Sequence, residues 1–472
     1  MHPAGHAFAL LSSEEVERIH QGALRILGEM GMQIQNEDLL RALSNFGLPV
    51  DFDSQRVRFP TAWIERFLSE TDPYDWENSL PQVGGSAGVY HGRYHDPRTG
   101  ELVPWSEENL AGYFALASQM PHLSGALMLG CRLPVPTPLE PLYERYYCWK
   151  YGASEGSSIY IDEICPHLLE LYQARAGCLG KPVQEIFRGT VYLVPALKLG
   201  RHEAYQVAYF RERGLRVHIG GMLAMGANAP MTLAGAVTLN LAESLALRML
   251  DWALFGVKEL RLGGSISVLD MRTMIYPYGR PEMAIANLMM AQIARYYGAY
   301  YSGHAGLSDA KLPSVESGYQ KALTALPTLL ACGSLWMDAG LLSIDEVCSP
   351  IQLILDNEFL SALKFLAKEF SVTEDSIGLE TILETGPGGQ YLDKEHTVRY
   401  LRSDHWQPHI WSREMLTPWL DGAGPTSRML DADQAREIAL HSLRISGPTS
   451  QLSDPDERAL LHIIDHAHKA LL

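Results

Sequence analysis

The sequence predicts an α/β fold, a (β/α)8 TIM barrel with N-terminal and C-terminal helical additions. Three observations carry that expectation. Between about residues 120 and 360, a short apolar run, a Gly- or acid-marked turn and a helical stretch recur eight times. The apolar runs are mostly continuous rather than alternating, as suits parallel strands covered on both faces. Their Asp and Glu residues fall at the carboxyl ends, where barrel enzymes place their chemistry.

The expected strands are Leu123–Gly130, Ser157–Asp162, Gly189–Leu197, Leu215–Met222, Lys258–Ile266, Ala299–Gly306, Ser334–Gly340 and Ile351–Asp356. Residues 1–120 then form an N-terminal helical segment with a β-hairpin, 121–370 the barrel, and 371–472 a C-terminal helical extension packed on it. At the start, Ser12 or Ser13 caps a helix with Glu15 and Glu17 in its first turn, ended by Gly31. Helices over Asn36–Phe46 and Pro60–Ser69 follow, the second opened by its proline. Gly88–His95 and Glu101–Trp105 read as a hairpin around the turn Asp96–Gly100. Ser106, with Glu108 and Asn109, opens the helix that leads into the barrel. Met231–Phe255 is the longest apolar helix, with Asn228 as its cap candidate and Pro230 in its first turn. Glu358–Phe370 is read as the last barrel helix and Gly422–Ser427 as a flexible link.

A net charge of −17 argues against nucleic acid or an anionic membrane as a partner. No run of 18 apolar residues occurs, and Met1–Leu11 lacks the features of a signal peptide, so a cytoplasmic location is expected. The six cysteines are scattered, with no CxxC and no close Cys/His pairing, and the spacing assigns no metal site. Cys131 and Cys165 do lie near strand ends. Neither Gly386-Pro-Gly-Gly389 nor Gly263-Gly264 has the context of a nucleotide loop. Elbow, zincin and glycosidase patterns are missing too.

The densest group of reactive side chains is Tyr301-Ser-Gly-His304-Ala-Gly-Leu-Ser-Asp309-Ala-Lys311, leaving the sixth expected strand. His304, Asp309 and Lys311 are the catalytic candidates; the plain alternative is an Asp309–Lys311 ion pair that holds the loop shut. Tyr94, Arg280, Glu282, Trp336, Asp338 and Glu358 make the expected substrate-binding set. Carboxylates and aromatic rings around a barrel mouth suit a quaternary or tertiary ammonium, held by cation–π and Coulomb attraction. Taken alone, the residues reach a barrel enzyme with a polar and aromatic mouth, its reaction open.

Several segments resemble the trimethylamine methyltransferase family of corrinoid-dependent enzymes. They are Ser13-Glu-Glu-Val-Glu-Arg-Ile-His20 with Ala23–Leu27, Asp96–Leu110, Asn228–Ala236, Gly279-Arg-Pro-Glu-Met283, Gly306-Leu-Ser-Asp-Ala-Lys311, and Gly386-Pro-Gly-Gly-Gln-Tyr-Leu392 with His396-Thr397. The resemblance runs from about Leu11 to Arg402. It implies transfer of a methyl group from an N-methylated amine to the cobalt(I) of a corrinoid (cobalamin). That corrinoid would be carried on a separate corrinoid-binding partner protein, with no tightly bound cofactor or metal in this chain. The chain shows no pyrrolysine, so the resemblance implies the branch that lacks it and acts on quaternary amines such as glycine betaine. Leu307 stands where many relatives are expected to have Cys. A homo-oligomer fits this picture. The alternative reading is a barrel enzyme or small-molecule binder acting on another N-methylated amine without a corrinoid partner.

Overall fold

The structure, a computed structural model, describes residues 9–130, 133–422, 424, 429–445 and 449–472. Cys131 and most of Gly422–Ser427, singled out above, therefore lie outside the described residues. The fold is α/β. Its organising feature is a succession of parallel strand pairings in which each strand's carboxyl end lies beside its neighbour's.

Gln82–Val89 pairs in parallel with Ser334–Ala339 on one side and Ala126–Met128 on the other, and Ala126–Met128 pairs with Ser154–Glu155. A single parallel bridge, Ser158 to Thr190, leads on to Thr190–Tyr192, which pairs with His218–Gly220. After a break at Gly221 the chain continues as Met222–Met225, parallel to Ser265–Val268. Another single bridge, Arg261 to Tyr300, reaches the segment before His304. From there, Ser334 Oγ donates to the Tyr301 carbonyl at 3.5 Å, returning to the strand at which the succession began. These contacts join separate sheets rather than one continuous hydrogen-bonded sheet.

Two corrections follow. The expected strand Ile351–Asp356 is helical, inside Pro350–Ala367, because Ser349 caps the Gln352 amide and Pro350 presets the first turn. Its apolar residues repeat at helical spacing against the strands, a pattern that a short window does not distinguish from a strand. The missing parallel strand is Gln82–Val89. Its five small residues, Gly84-Gly-Ser-Ala-Gly88, depress the apolar signal, yet its last five residues are buried.

The expected strands Ser157–Asp162 and Ala299–Gly306 are reduced to single bridges at Ser158 and Tyr300, while the helix signals hold well. Ser12 forms a capping box with Glu15, Asn36 caps Leu39, and Ser106 forms a capping box with Asn109. The hairpin is present as Arg93–His95 antiparallel to Leu102–Val103. For the long apolar helix, Leu233–Phe255, the cap is Thr232, whose hydroxyl accepts from Gly235 N; Asn228 instead accepts from Ala224 N within its own turn, and Pro230 precedes the helix. Among the described residues this is the one helix long and apolar enough to cross a membrane, and most of it is buried. It packs with the N-terminal helices Ser13–Arg25 and Glu37–Phe46 in the largest apolar core.

Candidate functional site

Because the pairings are parallel, residues that follow each strand gather at one end of the molecule. Tyr90 follows Gln82–Val89, and Tyr192 ends its own strand. Tyr276 and Tyr278 come after Ser265–Val268, and His304 after the Tyr300 bridge. Asp338 and Asp345 lie at and beyond the end of Ser334–Ala339. Two large rings are placed by glycines in cross-strand register. Trp336 lies opposite Gly84, and Tyr192 opposite Gly220. A Cβ on Gly84 would come 3.1 Å from the Trp336 ring, and one on Gly220 would come 2.9 Å from the Tyr192 ring. Each ring thus lies across its neighbouring strand, and both stay half-exposed, at 50% and 59%.

A hydrogen-bonded frame fixes the rest. His304 Nδ1 and Ser265 Oγ are 3.2 Å apart, and that hydroxyl meets Tyr276 OH at 3.0 Å. The His304 ring meets Tyr278 edge-on, with centroids 5.5 Å apart. Tyr278 donates its hydroxyl to Asp345 Oδ2 at 2.8 Å, and its backbone N–H donates to Asp309 Oδ1 at 2.7 Å. Asp345 belongs to a left-handed turn, Ser343-Ile344-Asp345, with φ of 54°, 57° and 68°. Three successive non-glycine residues in that region cost energy, most of all the β-branched Ile344. Two backbone bonds hold the turn against the His304 loop: Ser343 N to Ala310 O at 2.8 Å and Ile344 N to Ser308 O at 3.1 Å. Strained backbone of this kind persists where surrounding structure over-determines it, and it concentrates at functional sites.

Burial dominates the electrostatics. It pushes the Asp345 carboxyl up to about 6, against the Tyr278 hydroxyl and His304, which pull it down. The buried Oδ1 of Asp345 has no hydrogen-bond partner. Asp338 is likewise pushed up to about 6 by burial, and the more distant Lys321 offsets part of this. His304 is held below its usual range by burial, which favours the neutral imidazole. Across the mouth, Glu144 is pushed up to about 7 by burial although Arg145 Nη1 is 3.4 Å away. Tyr192 lies within electrostatic reach of Tyr90, Asp338 and Glu144. The result is a basin of aromatic rings beside Asp338 and Asp345, whose carboxyls burial raises to about 6 yet leaves mostly ionised at pH 7, a setting that a cation without N–H groups would complement.

The structure brings some expected site residues together and separates others. His304, Asp309 and Asp338 gather around the Tyr278–Asp345 frame, and Trp336 lies on the same strand as Asp338. Lys311 reaches back to the Asp309 carbonyl at 3.0 Å, not to its carboxylate, so the expected ion pair does not form. It borders a cavity of about 670 Å³ together with Tyr90, His91, Arg93 and Ser343. Arg280 and Glu282 bind each other through two contacts, 3.2 and 3.1 Å. Tyr94 is 2% exposed and packed on Trp105 and Tyr113 in an apolar core, away from the basin. Glu358 is buried on the Pro350–Ala367 helix, where it accepts from His409 N and Ile410 N of the C-terminal extension. Of the basin residues, sequence reasoning missed Asp345, Tyr90, Tyr192 and Glu144. The one signal for Asp345 was its place just past the Ser334–Gly340 run.

Lys321 and Asp356, both 2% exposed at their side chains, form a buried pair at 2.9 Å. Lys321 also donates to Gly306 O, and Asp356 accepts from Gly340 N. The pair ties the end of the His304 segment to the end of the Asp338 strand, so it positions rather than lines the site.

A model of the family described as trimethylamine methyltransferase (MTTB) matches residues 3–78 and 187–446. The chain is 25% identical over 433 residues to a glycine betaine methyltransferase of Desulfitobacterium hafniense (strain Y51), covering 87% of this chain and 88% of that one. It is 23% identical over 440 residues to trimethylamine methyltransferase MttB of D. hafniense (strain DSM 10664 / DCB-2), covering 88% and 86%. To trimethylamine methyltransferase MttB1 of Methanosarcina mazei it is 29% identical over 441 residues, covering 87% and 86%. The solved monomethylamine methyltransferase of Methanosarcina barkeri aligns over 91% of this chain and 92% of that one at 12% identity, with a TM-score of 0.40. With the family model matching most of the sequence and these relatives spanning nearly its full length, the chain belongs to the trimethylamine methyltransferase family.

Proposed function

We propose that this protein removes one methyl group from a quaternary amine and passes it to the cobalt(I) of a corrinoid held by a partner protein, in the cytoplasm. The observation that carries the reading is the basin itself: rings of Tyr90, Tyr192 and Tyr278 beside the half-buried carboxyls of Asp338 and Asp345, with Trp336 on the Asp338 strand and one Asp345 oxygen without a partner. A fixed positive charge without hydrogen-bond donors is matched by aromatic faces and unpaired acids. A betaine of the kind named for the D. hafniense relative carries such a charge.

The chain of parallel pairings supports a (β/α)8 barrel that begins at Gln82–Val89 and closes with Ser334–Ala339, flanked by the N-terminal helices and the C-terminal extension. Chemistry then belongs at the carboxyl ends of the strands. The rim there fits a flat apolar partner. Met231, Met271, Met274 and Ile275 are exposed after the two strands that follow Gly221. Gly226 leaves room for two of them, since a Cβ there would lie 2.6 Å from Met271 Cε and 3.0 Å from Met231 Sδ. Adaptable thioether side chains on an exposed patch are a common docking surface.

When docked, the corrinoid supplies the nucleophile that accepts the methyl group. The protein's own part is to orient the substrate and to exclude water. Tyr and Trp faces hold the ammonium, Asp345 and Asp338 balance its charge, and the His304–Ser265–Tyr276 chain fixes the wall behind them. A quaternary nitrogen departs as a neutral amine, so no residue needs to protonate it.

The test is direct. The protein is incubated with cobalt(I) cobalamin and a panel of betaines and other quaternary amines, and the cobalamin absorbance is followed as methylation proceeds. Substrate-dependent methylation with at least one quaternary amine is expected. A tertiary amine as the sole substrate, or no methylation with any, rejects the reading.

A further inference from the structure

Far from the basin, three ligand-type side chains converge between two outer helices. Cys165–Leu179 presents His167 and Glu170 three residues apart, on one face, and Asp454–Leu471 presents His466. The helices run antiparallel, since Cys178 bonds Asp456 near one end while His167 meets His466 near the other. Leu168, Leu171, Leu460, Ile463, Ile464 and Ala467 share the apolar core beneath.

The ligand atoms of His167, Glu170 and His466 all lie within 4.8 Å of one another. The two imidazole rings face edge-on, with centroids 5.6 Å apart. His167 Nδ1 is buried and has no hydrogen-bond partner. Three Lewis bases therefore point at one volume, two of them imidazoles that repel each other once protonated. What such a set lacks is a cation between its members. We propose that His167, Glu170 and His466 form a binding site for a divalent transition-metal ion, with Zn²⁺ as the reference, that fastens the last helix to the body of the protein. Two imidazole nitrogens and one carboxylate oxygen favour Zn²⁺ over Mg²⁺ or Ca²⁺, which prefer all-oxygen shells. Tetrahedral coordination would bring the three atoms to about 3.3 Å from one another, up to about 1.5 Å closer than the 4.8 Å within which they lie, a change that side-chain rotation can supply. The local half of the motif is only His-x-x-Glu, and its third member lies near the opposite end of the chain. Spacing alone could not reveal it.

The experiment uses the full-length, tag-free protein after EDTA treatment, titrated with Zn²⁺ and, in parallel, with Mg²⁺. Wild type is expected to bind one equivalent of Zn²⁺, to melt several degrees higher with it, and to ignore Mg²⁺. Co²⁺ in place of Zn²⁺ should give the visible absorption of a tetrahedral site. His466→Gln and Glu170→Gln alter exposed side chains, and each should weaken Zn²⁺ binding at least tenfold while the metal-free melting point stays within a few degrees of wild type. His462→Gln, one turn away on the same helix, should bind as wild type does. The proposal is overturned if Zn²⁺ produces no shift, if binding survives undiminished in His466→Gln, or if His462→Gln loses as much as His466→Gln. The last result would place the ion on the surface of one helix.

Discussion

At the scale of single residues, the proposed site rests on two acids, Asp338 and Asp345, whose carboxyls burial raises to about 6. Asp345→Asn keeps the Tyr278 hydrogen bond but deletes the charge available to an ammonium, and His304→Ala deletes one wall. Each variant should fold, and demethylation should fall by roughly 10²-fold or more, as when a positioned polar group is lost from an active site. Turnover in His304→Ala equal to wild type would remove that residue from the mechanism. The pH dependence follows from Asp338 and Asp345, whose carboxyls rise from the ordinary 3.8 to about 6. Acids raised on folding favour the folded state while protonated. Their contribution is complete below about pH 4 and is lost as pH climbs through 6. Urea midpoints measured between pH 4 and 7.5 should show this slope, and Asp345→Asn should flatten it. Binding of tetramethylammonium should run the other way, tightening over the same window as the acids ionise. His304 and Asp309 were legible because they crowd one short loop. Asp345 was not, because its significance lies in the left-handed turn and the Tyr278 contact, which no residue pattern encodes. Tyr94 and Glu358 looked equally apt by residue type, and only their burial against other elements sets them apart.

Elements carry the second lesson. Capping residues predicted helix starts well because Ser12, Asn36 and Ser106 act through hydrogen bonds to the next three residues. Strand identity was less legible where small residues replace large ones. Gln82–Val89 hides among glycines because its neighbours, the Trp336 ring at Gly84 and Leu341 at Gly88, occupy the space its own side chains would fill. Ile351–Asp356 misled for the opposite reason, being apolar on a helix buried against the strands. The Lys321–Asp356 pair joins that helix to its neighbour, to the His304 loop at Gly306 and to the end of Ser334–Ala339 at Gly340. Lys321→Met leaves a buried carboxylate unpaired and should lower stability by about 3–5 kcal/mol in denaturant unfolding. The double replacement Lys321→Met with Asp356→Leu should recover much of that loss, a result that would separate the cost of an orphaned charge from the worth of the pair.

For the whole molecule, the parallel arrangement makes one end chemically distinct. Acids and rings face inward there, and methionines stand on the rim. If the rim receives a corrinoid-bearing protein, Met271→Asp with Met274→Asp should reduce turnover with that protein far more than turnover with free cobalamin, measured as KM for each. Equal losses would count against docking at this surface. Most of the order of helices and strands was readable from periodicity, apart from Gln82–Val89 and Ile351–Asp356. Which faces meet a partner was not readable, since exposed methionines gain meaning only when the fold sets them side by side.

The basin also bears on how a turnover ends. On the proposed reaction, a bound quaternary nitrogen favours the ionised forms of Asp345 and Asp338 still further. Once the methyl group has left, the nitrogen is uncharged, and two buried anions are stranded without a counter-ion. They regain protons from solvent, and the attraction that retained the guest disappears with their charge. If the proposed reaction holds, departure of the demethylated amine is favoured by reprotonation of these acids, and it should slow as the solution becomes more alkaline than about pH 6. Single-turnover measurements that resolve amine release from methyl transfer across pH 6 to 9 should find release, not transfer, as the step that alkali retards.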